Sequence, residues 1–346
     1  MPPQGRQEQE STSEPVAQPA VAEDSSRDAL WALAWHEQDG VRRLSTIEEI
    51  RAAHERPGCQ MWIDLSEPDR DLLHELGKVF KLHPLVTEDI LERNQRAKVE
   101  VTGDSVHIVM FALRYEGEIV SDEIDIVLGD GFLLTSHDAD INPREAPFTR
   151  RDPQAHLPGG VDYVLWGLAD WLVDDYFPVF DKLGDEIDQL EDDVMQRPNH
   201  WVVERLFQVR RDLLAIRHAV NPQREIFNQL TNRDMRLIKP ERILYFRDVY
   251  DHLIRLTDEL DSYRELVSTT LDIYLSQVNN NLSEIMKRLT AITAILAGAG
   301  ALAGIFGMSE AGLAISFEDL RFWLVTAAIV VASAAGFIYA RRIGWI

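Results

Sequence analysis

Two charge-free apolar runs close the chain, and they limit its fold more than any other feature. Leu289 to Met308 (LTAITAILAGAGALAGIFGM) is 20 residues long and Phe322 to Ala340 (FWLVTAAIVVASAAGFIYA) is 19. At about 1.5 Å rise per residue, each matches a hydrocarbon core of roughly 30 Å. A pair of buried core helices is the alternative, but a soluble helix of this length normally keeps a polar face. We therefore read transmembrane helices at 289–308 and 322–340, joined by an extracytoplasmic loop at 309–321. Lys287 and Arg288 precede the first run and Arg341 and Arg342 follow the second, whereas the loop carries Glu310, Glu318, Asp319 and one Arg321. Positive residues stay inside, so both hairpin ends and both termini are expected on the cytoplasmic face of the inner (plasma) membrane, with 341–346 as a basic tail.

The remainder of the chain is polar. Residues 1–27 are rich in Gln, Glu, Ser and Pro, lack the basic start and apolar core of a signal peptide, and read as a disordered tail. The single cysteine, Cys59, excludes an internal disulfide framework and reads as a buried thiol in a reducing compartment. Net charge is −23; the part before Lys287 holds 30 basic against 55 acidic residues, a balance of −25. That field attracts cations and disfavours nucleic acid as a partner.

From Ala29 to His137 short apolar or alternating runs (LWALAW, MWIDL, VHIVMFALRY, EIDIVL, GFLLTSH) mix with amphipathic stretches. Turn signals fall at Asp39-Gly40, Glu116-Gly117 and Asp130-Gly131. This predicts an α/β domain over 28–160 with a partly antiparallel sheet, ending in a Pro- and Gly-rich linker or surface loop from Asp138 to Gly160. Residues 161–288 then read as a helical and stalk region, which makes the whole chain α+β.

The last cytoplasmic segment opens at Lys239-Pro240, a favoured helix start, and has neither Gly nor Pro from Glu241 to Ala297. Those 57 residues would span about 85 Å as one helix running into the first membrane segment. Its apolar stripe runs Phe246, Val249, Leu253, Leu256, Leu260, Tyr263, Val267 and on through Leu271, Tyr274, Val278, Leu282, Ile285 and Leu289 at steps of three and four. The stripe can pack on preceding helices of the same chain or on copies of itself around an axis. Two spans alone cannot enclose a watery path, so a pore requires a homo-oligomer. Small residues such as Ala297, Gly298 and Gly300 in the first span suit close helix packing. Ser276, Gln277, Asn279, Asn280, Asn281 and Ser283 put polar groups just before the membrane, either as a wet pore surface or as solvated helix.

These segments resemble the CorA-type divalent cation transporters. The stretches HPLVTEDILERNQRAKVE, LVDDYFPVFDKLGDEIDQLEDDV and YFRDVYDHLIRLTDELDSYRELVSTTLDIYLSQVNNNLSEIMKRLT, with the closing ARRIGWI, are similar to family motifs in order, from about Ala29 to Ile346. The resemblance implies a funnel-shaped homopentamer with the ion path along its axis and Mg²⁺ as both the transported and the regulatory ion, Co²⁺ or Ni²⁺ often being admitted. It assigns Asp89 and Asp248 to regulatory Mg²⁺ between cytoplasmic subunits, with Glu88 and Asp175 near a second such site. Asp272 matches an acidic ring in the stalk, Asn280 lies in its polar stretch, Ser283 falls on a pore asparagine, and Met286 and Leu289 match an apolar constriction.

At the outer end the family pattern Gly-Met-Asn is replaced by Gly307, Met308 and Ser309, with Glu310 adjacent. A serine ring would be wider and a poorer ligand set for a hydrated ion. Three functions therefore stand: a Mg²⁺ channel gated by cytoplasmic Mg²⁺, a transporter of the zinc branch with proton coupling as an option, and a non-conducting membrane-anchored sensor or scaffold. An enzyme is not expected, because no P-loop, Gly-x-Ser-x-Gly, His-Glu-x-x-His or paired-cysteine site is present.

Overall fold

The computed structural model describes residues 29–146, 156–196, 199–232, 235–310 and 320–344. The N-terminal tail, most of the loop after Glu310, part of the 138–160 linker and the last two residues lie outside these.

Seven strands form one sheet: β1 Leu30–His36, β2 Gly40–Leu44, β3 Gln60–Ser66, β4 Lys98–Thr102, β5 Ser105–Tyr115, β6 Ile119–Gly129 and β7 Phe132–His137. Their order is β2-β1-β3-β7-β6-β5-β4. Every pairing is antiparallel except β3 with β7, so the expected partly antiparallel sheet is mixed at its centre. The three sequence turn signals all fall at hairpins. At Gly131 the requirement is twofold: φ is +75°, and a Cβ would stand 2.7 Å from the Cys59 carbonyl oxygen.

Helices cover both faces. α1 Ile47–His54, α2 Arg70–Phe80 and α3 Pro84–Glu92 pack on one side around Met61, Ile63, Leu65, Val127 and Leu134. Thr46 and Glu49 close a reciprocal capping box at the start of α1. α3 begins at Pro84 and stops where Arg93 takes a left-handed conformation, φ 44°. Cys59 is a free, buried thiol on this side, as expected.

The opposite face carries α4 Val161–Asp174, α5 Tyr176–Gln196, α6 His200–Asn232 and α7 Ile243–Glu310. One apolar core joins their buried sides to Trp62, Ile108, Met110, Ile126 and Leu133 of the sheet. The linker contributes as well, since Ile141, Ala146 and Leu157 are buried. Tyr176, fully buried, places its one hydroxyl between the Phe111 carbonyl and Gln223 Oε1, tying α5 to β5 and α6.

A short 3₁₀ turn at Pro240–Arg242 opens α7, which then runs 68 residues without a break. It passes through Gly298, Gly300 and Gly304, beyond the glycine-free stretch that ended at Ala297. The glycines are tolerated because, once other partners are scarce, the helical hydrogen bond is the only one available to each peptide. α8, Leu320–Arg342, returns beside it, with Gly336 facing Ile295.

The long apolar stripe divides in two. Phe246, Val249, Leu253, Leu256, Leu260 and Val267 are buried against the protomer's own core. Leu271 and Tyr274 lie at its margin. Leu282, Ile285 and Leu289 are exposed by 54–60%. The lower stripe thus builds the protomer, and the upper stripe is left for something else.

Candidate metal centres and ion path

Helix α3 presents adjacent acids to different surroundings. Glu88 is exposed and has no ion-pair partner among the described residues. Asp89 points back to the sheet edge, where Lys98 Nζ of β4 lies 2.6 Å from its carboxylate and 3.2 Å from Glu100. Burial opposes the Lys98 charge, but the hydrogen bonds and charges of these two carboxylates outweigh it and hold the ammonium above its ordinary range. Behind them, His107 Nε2 and Asp125 Oδ1 are 2.7 Å apart, with both residues at essentially zero exposure. Glu123 is buried next to this pair; burial first and the Asp125 charge second push its carboxyl up to about 7.

A second acidic group lies between α4 and α7. Asp170 and Asp174, one helical turn apart, place carboxylate oxygens within 4.8 Å of each other and of a His252 ring nitrogen. His252 Nδ1 is 3.4 Å from Asp174 but has no well-aligned hydrogen bond, and its ring meets Phe177 edge-on. Burial and the neighbouring Asp174 push Asp170 up to about 6, and Asp248 adds to the same effect. Asp175 is also raised, by burial and then by Asp174, with the Trp171 hydrogen bond acting against both. Asp248 is exposed. Asp175 and Asp248 thus belong to an acidic patch whose other members, Asp170, Asp174 and His252, carried no sequence signal beyond helical spacing.

Exposed oxygens with few cationic neighbours suit a hydrated Mg²⁺, and Glu88 and Asp248 fit that description. Asp89 fits only in competition with Lys98. The protomer does not gather Glu88, Asp89, Asp175 and Asp248 into one of its compact ligand clusters among the described residues.

Higher on α7, Asp272, Asn280, Ser283, Met286 and Leu289 are all exposed. The apolar stretch beyond them is long enough to cross a membrane, and almost none of it is buried in the protomer. Gly307, Met308, Ser309 and Glu310 are helical backbone at the end of α7, and the loop that would complete the entrance lies outside the described residues.

The fold has a clear counterpart. The complete structure of the CorA magnesium transporter from Methanocaldococcus jannaschii superposes with a TM-score of 0.76, covering 91% of this chain and 98% of that one at 24% identity. The cobalt/magnesium transport protein CorA of Thermotoga maritima is 37% identical over 254 residues, 72% of each chain. More distantly, the zinc transport protein ZntB of Yersinia pseudotuberculosis is 21% identical over 92% of this chain and 96% of its own length. Residues 60–342 match the family model described as CorA-like Mg2+ transporter protein, and this protein is therefore a member of the CorA family of divalent cation transporters.

Proposed function

We propose that the protein is a plasma-membrane channel for divalent cations, chiefly Mg²⁺ with Co²⁺ and Ni²⁺ admitted, assembled as a homopentamer around α7. Both termini lie in the cytoplasm, and the membrane part is the hairpin of 289–308 and 322–340 beyond a cytoplasmic sheet domain and stalk. The observation that carries this reading is the uncovered upper face of α7. It continues a helix firmly packed below, yet exposes Leu282, Ile285, Met286 and Leu289 by 54–60%. Apolar side chains at helical spacing gain free energy by meeting copies of themselves.

In the assembled ring, Asp272 and Asn280 would offer oxygens to a hydrated ion, and Ser283 a hydroxyl. Met286 and Leu289 would close the path by excluding water. Cytoplasmic Mg²⁺ held between subunits by Asp89 and Asp248, with Glu88 and Asp175 near a second ion, favours the packing in which the ring is shut. Loss of the ion releases it, because a ligand shifts an equilibrium by its differential affinity for the two states. Asp89 must be shared with Lys98 for this to occur, so Glu88 and Asp248 carry most of the attraction.

Reconstitution into proteoliposomes loaded with a Mg²⁺ indicator tests the proposal. Influx is expected at low internal Mg²⁺, with inhibition as internal Mg²⁺ rises; absence of influx from an intact oligomer overturns it. The match to a zinc transport protein supports a second reading, zinc transport with proton coupling. Flux of Zn²⁺ that Mg²⁺ fails to compete, accompanied by internal pH change, would select it.

A further inference from the structure

The face of the sheet beneath α3 holds more unpaired buried polar atoms than a structural core requires. His107 Nδ1, Asp125 Oδ2 and Glu123 Oε1 are each inaccessible and without a hydrogen-bond partner, on residues exposed by 0%, 0% and 7%. Such atoms call for a water or an ion. Register explains why they meet. Glu100 of β4 pairs with His107 of β5, Lys98 with Val109, and Val109 in turn with Asp125 of β6, so these side chains share one face. α3 then lowers Asp89 onto it. Asp89, Glu100 and His107 each bring a ligand atom within 4.8 Å of the others.

The histidine is arranged for coordination. His107 Nε2 stands 2.7 Å from Asp125 Oδ1; the tautomer that donates Nε2–H to this carboxylate leaves the Nδ1 lone pair free, the arrangement in which a carboxylate orients a metal-binding imidazole. The local charge also asks for a cation. Asp89, Glu100 and Asp125 are opposed there by Lys98 and Arg93, and Arg93 is already committed to Asp138 and the His137 carbonyl.

We propose that Asp89, Glu100 and His107 form a metal site within each protomer, selective for nitrogen-preferring divalent ions such as Co²⁺, Ni²⁺ or Zn²⁺ over Mg²⁺, and that the Lys98 ammonium is its built-in competitor. Two carboxylates alone would suit Mg²⁺; one neutral imidazole shifts the preference toward later first-row ions. Without metal, Lys98 neutralises the two carboxylates. With metal, Lys98 swings out to the exposed sheet edge, and the ion satisfies Nδ1. The site shares Asp89 with the interfacial Mg²⁺ reading but needs no second subunit. It would let the cytoplasmic domain respond to a transition metal independently of Mg²⁺.

The test is Co²⁺ binding to the purified full-length protein, with any affinity tag removed, by equilibrium dialysis and visible absorption in the presence of millimolar Mg²⁺. Wild type is expected to bind one Co²⁺ per protomer that His107→Gln loses, while Lys98→Met, which keeps the stem and removes the charge, tightens that binding at least tenfold. Unaltered affinity in Lys98→Met overturns the proposal, and so does Co²⁺ stoichiometry that is insensitive to His107→Gln or is abolished by millimolar Mg²⁺. Should His107→Gln fail to assemble, Lys98→Met decides alone. Failure here leaves Mg²⁺ influx untouched, and a protein silent in flux assays would still bind Co²⁺, so the two readings fall separately.

Discussion

Tyr263 of α7 crosses α5 at Gly184, where an added Cβ would lie 2.5 Å from the phenol oxygen. The hydroxyl donates to Glu259 on its own helix at 2.7 Å, and the ring rests against Phe180. This contact sits near the top of the buried half of α7, just below Val267, and fixes where the stalk leaves the core.

Gly184→Ala is therefore expected to destabilise the domain built on the sheet by about 1–3 kcal/mol, the usual cost of overpacking. Denaturant unfolding followed by tryptophan fluorescence would measure it. The double variant Gly184→Ala with Tyr263→Phe should recover part of the loss, since it removes the nearest atom.

Glu123 supplies a pH-dependent signature. Its ordinary value is 4.5 and the fold raises it to about 7, through burial and the Asp125 charge, with Asp89 adding to the rise and Arg93 opposing it. A carboxyl raised in this way binds its proton more tightly folded than unfolded. Its contribution is full below about pH 4.5 and is lost as pH climbs through 7. Glu123→Gln keeps an acceptor for the Gln95 amide and removes the charge, so it should match wild type near pH 5 and exceed it at pH 8 by about 1–3 kcal/mol. Unfolding at both pH values in chelator checks this; equal stability at pH 8 contradicts it.

The exposed upper stripe predicts an assembly defect without a folding defect. Ile285→Asp places a charge where copies of α7 would meet, and its assembly constant should fall by a factor of about ten or more, given that each 1.4 kcal/mol is tenfold. Light scattering on detergent-solubilised protein would show it, with circular dichroism unchanged. Val267→Asp, buried in the protomer core, should lose both.

Ser309→Asn puts a longer amide side chain in place of the hydroxyl at the end of α7. Mg²⁺ influx is expected to rise severalfold over wild type in matched proteoliposomes. If wild type is silent and only the variant conducts, the natural serine marks a protein that senses without transporting.

Much of this architecture was legible in local pattern. Turn dipeptides placed the hairpins, and the run after Lys239-Pro240 announced α7, because both depend on residues close in sequence. The division of the apolar stripe was not legible. Leu256 and Ile285 look alike in spacing, and only the extent of α5 and α6 decides which of them is covered. The polar site beneath α3 left one faint trace. His107 and Asp125 interrupt otherwise apolar strand runs at positions that alternate inward, but their meeting depends on the register of β5 and β6. Lys98 was invisible as the partner of Asp89, since that pairing requires the chain to turn back after Arg93 and enter β4.

The unbroken hydrogen-bonding of α7 has a mechanical consequence. From Val267, where the helix leaves the core, to Glu310 is about 65 Å at 1.5 Å per residue. A rotation of about 3° at that fulcrum would carry the far end through about 3 Å, if the shaft stays rigid over its full length. With α7 one unbroken helix, a displacement at the base too small to disturb the sheet domain is delivered magnified to its far end at Glu310.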